Sequence, residues 1–170
     1  MPTEPRIVEL ADQPYVAMRR DVTPQTFADI ADRLPEVFGW LGARGIEPVG
    51  PPFFKYNRVN MARSMEIEAG VPIASAVPIA SAVAGDDQIL AGVLPAGRYA
   101  TITHIGHPEE LVGVTAALLD WAAAQGLRWD VTDSADGPRW GARLELLMTN
   151  PVEEPDMAKW ETQLAFRLAD

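Results

Sequence analysis

The chain repeats one order of sequence signals, and this repetition limits the folds open to it. In each half a Tyr opens a strand-like segment, a Pro opens a periodic run, and a Trp lies five residues before a Gly. The positions are Tyr15, Pro24, Trp40 and Gly45 in the first half and Tyr99, Pro108, Trp121 and Gly126 in the second. The matching order indicates an internal duplication, in which both halves form the same supersecondary unit.

The periodic runs predict one helix in each half. Apolar residues recur at the helical spacing of about 3.6 residues over 27–41 and again over 111–122. Gly45 and Gly126 follow these runs, at the place where a left-handed residue commonly ends a helix. Pro35 interrupts the first run, and because proline has no N–H to donate, it should kink or restart that helix.

Two strand-like segments follow each predicted helix, at 52–59 and 64–71 in the first half and at 140–149 and 160–168 in the second. The last segment alternates apolar and polar residues, as half-buried strands do. Each half is therefore β-α-β-β. We predict an α+β fold, a tandem pseudo-twofold pair of β-α-β-β modules. Its antiparallel sheet should carry two helices on one face and a ligand groove on the other.

Residues 1–170 are expected to form a single small-molecule-binding domain. Its half-modules should span about 6–71 and 88–168, joined by a linker at 72–87. A hexapeptide, VPIASA, is duplicated in tandem across 71–82. Because its prolines pair poorly as an internal strand, we expect this stretch to be extended and to lie at the surface.

Composition excludes several classes of partner. The chain has 14 Lys and Arg against 24 Asp and Glu, for a formal net charge of -10. Phosphates would be repelled, so we expect no direct nucleic-acid partner and no membrane association. No Cys is present, and the only two His, His104 and His107, have no supporting ligand cluster. We therefore expect no metal and no cofactor, and the absence of a targeting signal at Met1–Pro5 favours a cytoplasmic location.

Glu145 is the carboxylate that stands out. It interrupts the apolar run LELLM at 144–148, in a strand that we place near the centre of the sheet. An unpaired carboxylate there would be desolvated, and its pKa would rise. A salt bridge with Arg143 or simple exposure would explain the residue without a function. The functional interpretation is a carboxylate at the bottom of an apolar groove, available to a cation or a proton.

Aromatic and flexible side chains supply the rest of the candidate site. Tyr and Trp often line ligand grooves, and a Trp face attracts organic cations by about 0.5–2 kcal/mol. Met provides a deformable lining. The candidate ligand-binding residues are Glu145, Phe54, Tyr56, Met65, Trp140, Leu147 and Trp160. If the protein is an enzyme, Glu145 and Tyr56 are the candidate catalytic residues.

Seven segments in order carry a family resemblance. They are Gly50–Tyr56, Met65–Pro72, Leu94–Tyr99, Thr103–Gly106, the helix end at Trp121–Gly126, Leu144–Leu146 with Asn150 and Pro151, and Trp160–Thr162. With them the chain resembles the gyrase-inhibitor-like (GyrI-like) small-molecule-binding family, which is related to the effector-binding domains of multidrug-responsive bacterial transcription activators. The resemblance implies paired β-α-β-β modules around an apolar, aromatic-lined cleft with a glutamate on a late strand, here Glu145.

The resemblance also implies a function. Such domains bind bulky lipophilic cations and planar aromatics, so we predict a stand-alone protein that binds lipophilic, aromatic, often cationic small molecules. Certain members hydrolyse cyclopropane-bearing alkylating agents, and a hydrolase of such toxins that uses Glu145 is the alternative. A contact with gyrase through the acidic surface, and a role as a regulator's sensing half, stay open as further alternatives. The chain departs from the family at Leu144 and Leu146, where relatives commonly carry Tyr beside the glutamate.

Overall fold

The computed structural model describes residues 3–60, 62–74 and 89–169. Within these ranges the chain forms an antiparallel sheet and three α-helices. The strands are β1 (Arg6–Leu10), β2 (Gln13–Val22), β3 (Phe53–Val59), β4 (Met65–Pro72), β5 (Leu90–Leu94), β6 (Gly97–Ile105), β7 (Val131–Thr132), β8 (Arg139–Trp140), β9 (Arg143–Leu147) and β10 (Glu161–Arg167). The helices are α1 (Ala28–Ala31), α2 (Leu34–Ala43) and α3 (Leu111–Ala124).

The strand order is pseudosymmetric, with equivalent strands of the two halves at equal distances from the centre of the sheet. The main path is β1-β6-β10-β9-β3-β4-β2-β5, and the short β7 and β8 attach beside β3. The two halves meet where β3 of the first pairs antiparallel with β9 of the second. Moving outward from this junction, β4 matches β10 and β2 matches β6. The predicted α+β pair of β-α-β-β modules is confirmed.

The two outermost strands are exchanged between the halves. β1 precedes β2 in the chain but pairs with β6 of the second half. β5 precedes β6 but pairs with β2 of the first half. Neither strand was predicted, because each has five residues and pairs far away in sequence. The exchange ties each module to the other at both edges of the sheet.

The helices follow the sequence signals closely. The first periodic run is divided into α1 and α2, and Pro35 lies in the first turn of α2, where its missing N–H is harmless. The restart predicted at Pro35 is confirmed. Gly45 and Gly126 have φ angles of 66° and 70°, in the left-handed region that ends a helix favourably only with glycine.

One predicted strand is divided in two, and most of the duplicated hexapeptide lies outside the described residues. The predicted strand at 140–149 is wrong as a single element, because a bend at Gly141 separates β8 from β9. An added Cβ at Gly141 would overlap the Asp130 carboxylate, so any other residue here would require that side chain to move. Of the duplicated hexapeptide at 71–82, Val71 and Pro72 pair with β2 as the end of β4, and Val71 and Ile73 are buried, so the expected surface position is wrong for these residues. Residues 75–82 lie outside the described residues.

Each face of the sheet has its own core. On the helix-bearing face, Leu118 of α3 packs with Leu164 and Phe166 of β10. Leu41 of α2 packs on β2 and β4 in the same way. The opposite face is closed by a second cluster that includes the buried rings of Phe53 and Tyr99.

Candidate ligand-binding site

Glu145 lies on the strand at the junction of the two halves. In β9 it is paired with Leu164 of β10 on one side and with Phe54 of β3 on the other. Because directly opposed residues in a sheet project from the same face, Glu145 shares its face with Leu164, which packs under α3. The carboxylate therefore lies on the helix-bearing face, partly exposed.

The groove was expected on the face opposite the helices, and for Glu145 this placement is wrong. The sequence does not fix the register between strands, and register decides the face on which each residue lies. α1 and α2 pack mainly on β2 and β4, and α3 packs mainly on β6. The central strands β3 and β9 thus form a floor between the helices, and Glu145 belongs to that floor.

The Tyr56 hydroxyl holds the Glu145 carboxylate. It donates a hydrogen bond of 2.9 Å to Glu145 Oε1. Burial raises the pKa of Glu145 above its usual range, although the Tyr56 hydrogen bond and the charge of Arg143 act in the opposite direction. Burial and the negative charge of Glu145 raise the pKa of Tyr56 well above its usual value. The pair can accept a cation, and a protonated Glu145 can also donate a proton.

Arg143 contributes a second charge to the same floor. Its guanidinium carbon lies 4.7 Å from the ring centroid of Phe166, 4.9 Å from that of Trp140 and 5.7 Å from that of Tyr56. Among the described residues, the hydrogen-bond partner of Glu145 is Tyr56 and not Arg143. The salt-bridge explanation for Glu145 is therefore not supported. Burial lowers the pKa of Arg143.

Several of the other predicted ligand-binding residues pack beneath the floor or beside it. Phe54 and Met65 are buried in one cluster on the helix-bearing face, and Leu147 and Tyr56 pack against it. The Phe54 ring meets the edge of Phe27, just before α1, at a centroid distance of 5.1 Å. These side chains support the floor beneath the first-half helices.

The two predicted tryptophans lie at different places. Trp140 packs against Arg143 and, at 5.7 Å between ring centroids, against Phe166. Trp160 directly precedes β10, and its indole N–H donates to the Glu154 carbonyl oxygen at 2.7 Å. Trp140 therefore touches the charged part of the floor, whereas Trp160 lies beyond its end at Leu147.

Sequence reasoning overlooked three members of this surface. Arg143, two residues before Glu145 and therefore on the same strand face, was weighed only as a salt-bridge partner of Glu145. Phe166 and Phe27 carried signals for strand and helix packing alone. Only their contacts with Arg143 and Phe54 show that they support the floor, Phe166 from a fully buried position.

A buried polar network occupies the opposite face. Glu68 accepts hydrogen bonds of 2.6 Å from the Tyr15 hydroxyl and 2.6 Å from the Asn57 side-chain amide. The Lys55 ammonium lies 3.6 Å from the same carboxylate. All four side chains are buried and satisfy one another. This network stabilises the β2-β3-β4 region and presents no open group to a ligand.

The described residues contain no group of three or more His, Cys, Asp or Glu side chains arranged to hold a metal ion. His104 is buried, and its Nε2 lies 3.3 Å from Glu110 Oε1. His107 accepts a hydrogen bond from the Glu109 N–H at the start of the turn that leads into α3. Both histidines thus shape this helix start.

No helix among the described residues is long and apolar enough to cross a bilayer.

Fold and site together define an α+β protein of two β-α-β-β modules with an accessible carboxylate where they join. A family model for the GyrI-like small molecule binding domain matches residues 3–167. The chain belongs to this family, and the predicted resemblance is confirmed. No curated protein sequence matches the chain.

Solved structures share the fold at low sequence identity. The C-terminal domain of EcmrR matches with a TM-score of 0.71 and 15% identity, over 98% of this chain and 98% of that chain. EcmrR in its complex with DNA matches with a TM-score of 0.75 and 16% identity, over 98% of this chain but only 57% of that chain. This chain therefore spans little more than half of that EcmrR chain.

Two further structures match over nearly their whole length. SAV2435 bound to tetraphenylphosphonium has a TM-score of 0.60 and 11% identity, over 98% of this chain and 94% of that chain. A hydrolase from Listeria innocua has a TM-score of 0.61 and 12% identity, over 98% of this chain and 92% of that chain. At these identities the matches establish the fold.

Proposed function

We propose that the chain binds lipophilic, aromatic, often cationic small molecules on the floor between its helices. The observation that carries the proposal is the Tyr56–Glu145 hydrogen bond in a partly exposed, ring-lined surface. A carboxylate in such a place is poorly solvated, so an organic cation that reaches it gains more than it would from a carboxylate in bulk water.

Apolar contact supplies most of the expected affinity. Burial contributes about 25 cal/mol per Å² of apolar surface, and the floor offers the partly exposed Leu147 and Trp140, with Phe54 buried beneath it. Few hydrogen-bonding groups surround Glu145, so binding should be broad in ligand shape and of about micromolar affinity. The tetraphenylphosphonium complex of SAV2435, which has the same fold, supports this choice of ligand class.

Titration with tetraphenylphosphonium by calorimetry tests the proposal. The wild type should bind with a Kd of about micromolar order, and Glu145→Gln should weaken binding by about tenfold, which corresponds to about 1.4 kcal/mol. Glu153→Gln is the matched control, because Glu153 is exposed in the turn that follows Asn150. Equal affinities of wild type and Glu145→Gln would remove the carboxylate from the account.

A hydrolase acting on strained electrophiles is the second candidate function. The raised pKa of Glu145 favours it, because a carboxylic acid that keeps its proton can serve as a general acid. Glu145 would donate its proton to the group that takes the electron pair of the breaking ring C–C bond. Water would add to the released carbon and return a proton to Glu145, while the Tyr56 hydroxyl positions the carboxyl group.

Product analysis decides this second function. The protein is incubated with a cyclopropane-bearing alkylating agent, and mass spectrometry follows the ring-opened product that has gained one water. Turnover in the wild type and its loss in Glu145→Ala would support catalysis. Product at the level of the protein-free control would reject it and leave the binding function in place.

A further inference from the structure

Arg143 and Glu145 form a pair of opposite charges on one face of one strand. Residues two apart in a strand are about 7 Å apart along it. The guanidinium of Arg143 contacts the aromatic rings of Phe166, Trp140 and Tyr56. Glu145 is held by the Tyr56 hydroxyl. The floor therefore presents a fixed cation and a fixed anion side by side.

Among the described residues, none forms a hydrogen bond or an ion pair with the N–H donors of Arg143. Within residues 3–60, 62–74 and 89–169, its contacts are these three ring contacts, and no hydrogen bond or ion pair reaches its guanidinium. A guanidinium carries five N–H donors in its plane, arranged to meet a carboxylate with two parallel hydrogen bonds. The side chain is only partly buried, so an acceptor from outside can reach it.

We infer that the preferred ligands are amphoteric planar aromatics, which carry a carboxylate for Arg143 and a delocalised positive charge for Glu145. This inference rests on the proposed function and narrows its ligand class. The partly exposed rings of Trp140 and Tyr56 would stack on the ligand's aromatic body, while the two charges fix its direction along β9.

Charge balance favours this class over simple cations. A ligand with only a positive charge is attracted by Glu145, but part of this attraction is offset by repulsion from Arg143. A ligand with both charges gains from both residues and satisfies the unused donors of Arg143. Lysine could not replace this arginine fully, because its ammonium lacks the planar fork.

A matched pair of dyes tests the inference. Rhodamine B carries a carboxylate and a delocalised cation, and its ethyl ester carries the cation alone. Fluorescence anisotropy should show that the wild type binds rhodamine B at least about fivefold more tightly than the ester. Arg143→Met keeps an apolar stem but removes the fork, and it should abolish or reverse this preference. Arg143→Lys should give an intermediate ratio, and Arg6→Met, exposed on β1, should leave the ratio unchanged.

The results separate this inference from the proposed function. If wild type binds both dyes equally, or if Arg143→Met keeps the wild-type ratio, the inference is overturned. If Glu145→Gln binds the ester more weakly than the wild type does, the proposed function stands even though the inference has failed. If neither dye nor tetraphenylphosphonium binds, both fail. Circular dichroism shows whether each variant is folded. If Arg143→Met is unfolded, the comparison of wild type with Arg143→Lys decides the inference.

Discussion

The Tyr56 hydroxyl and Glu145 Oε1 lie 2.9 Å apart across the seam between the two halves of the protein. Tyr56 belongs to β3 of the first half, and Glu145 to β9 of the second. The site is therefore complete only when the halves are joined. A duplicated fold places such a seam at its centre, where the helices of both halves leave the sheet uncovered.

Removing the hydroxyl should weaken this seam. Tyr56→Phe loses a hydrogen bond to a charged group in a partly exposed place, and its free energy of unfolding should fall by about 1–2 kcal/mol. The effect should be larger at about pH 8 than in acid, because ionisation of Glu145 increases with pH and strengthens the bond. Urea unfolding measures it. Unchanged stability at that pH would mean that the bond contributes nothing in solution.

The tyrosine on the opposite face gives a contrasting prediction. Tyr15→Phe removes a buried hydrogen bond to Glu68, so it should cost about 1.5–3 kcal/mol in the same unfolding experiment. Because Tyr15 faces away from Glu145, the affinity for tetraphenylphosphonium should not change. A loss of ligand affinity in Tyr15→Phe that matched the loss in Tyr56→Phe would show that the two faces are not independent.

Stability should depend on pH through Glu145. Its pKa is raised in the folded protein, so the folded state holds this proton more tightly than the unfolded state does. The free energy of unfolding should therefore fall as pH rises from about 4.5, the ordinary glutamate value, through the raised pKa. One pKa unit corresponds to about 1.4 kcal/mol.

Urea unfolding across this pH range, compared between variants, isolates the contribution. Glu145→Gln should lack it and should gain stability relative to wild type as pH rises, whereas Glu153→Gln should follow the wild type. A Glu145→Gln curve parallel to the wild-type curve at every pH would contradict the raised pKa.

Close packing behind β3 gives a prediction about the fold. An added Cβ at Gly70 would lie 2.6 Å from the ring of Phe53, which is fully buried. Gly70→Ala should therefore cost about 1–3 kcal/mol by overpacking. Gly39 in α2 has no atom within 4 Å of an added Cβ, so Gly39→Ala should stabilise the protein by about 0.5–1 kcal/mol. Thermal unfolding of both variants checks the pair, and equal midpoints would contradict it.

Local signals were the part of the fold that could be predicted from sequence. Alternation in β10 identifies Leu164 and Phe166 as buried, and helix ends follow from Gly45 and Gly126. These signals depend on backbone preferences that act within a few residues. The exchange of β1 and β5 depends on pairing between segments that are distant in sequence. A five-residue strand contains no sequence signal that identifies its distant partner.

The candidate site shows the same division. Glu145 could be recognised because a carboxylate in an apolar strand is unusual. Its partner and its face could not, since both depend on the register of β9 against β3, where Phe54 is opposite Glu145. For the same reason the sequence could place Arg143 on the face of Glu145 but could not predict its three ring contacts, because these come from the packing of separate strands.

Carbon-13 NMR of the Glu145 side-chain carboxyl group tests the central claim most directly. Titrating free and tetraphenylphosphonium-saturated protein gives the pKa of this one group in both states, with Glu145→Gln assigning the signal. The account predicts a pKa above the usual glutamate range in the free protein and a lower one in the complex, because the bound cation favours the ionised form. The same pKa in both states would contradict it.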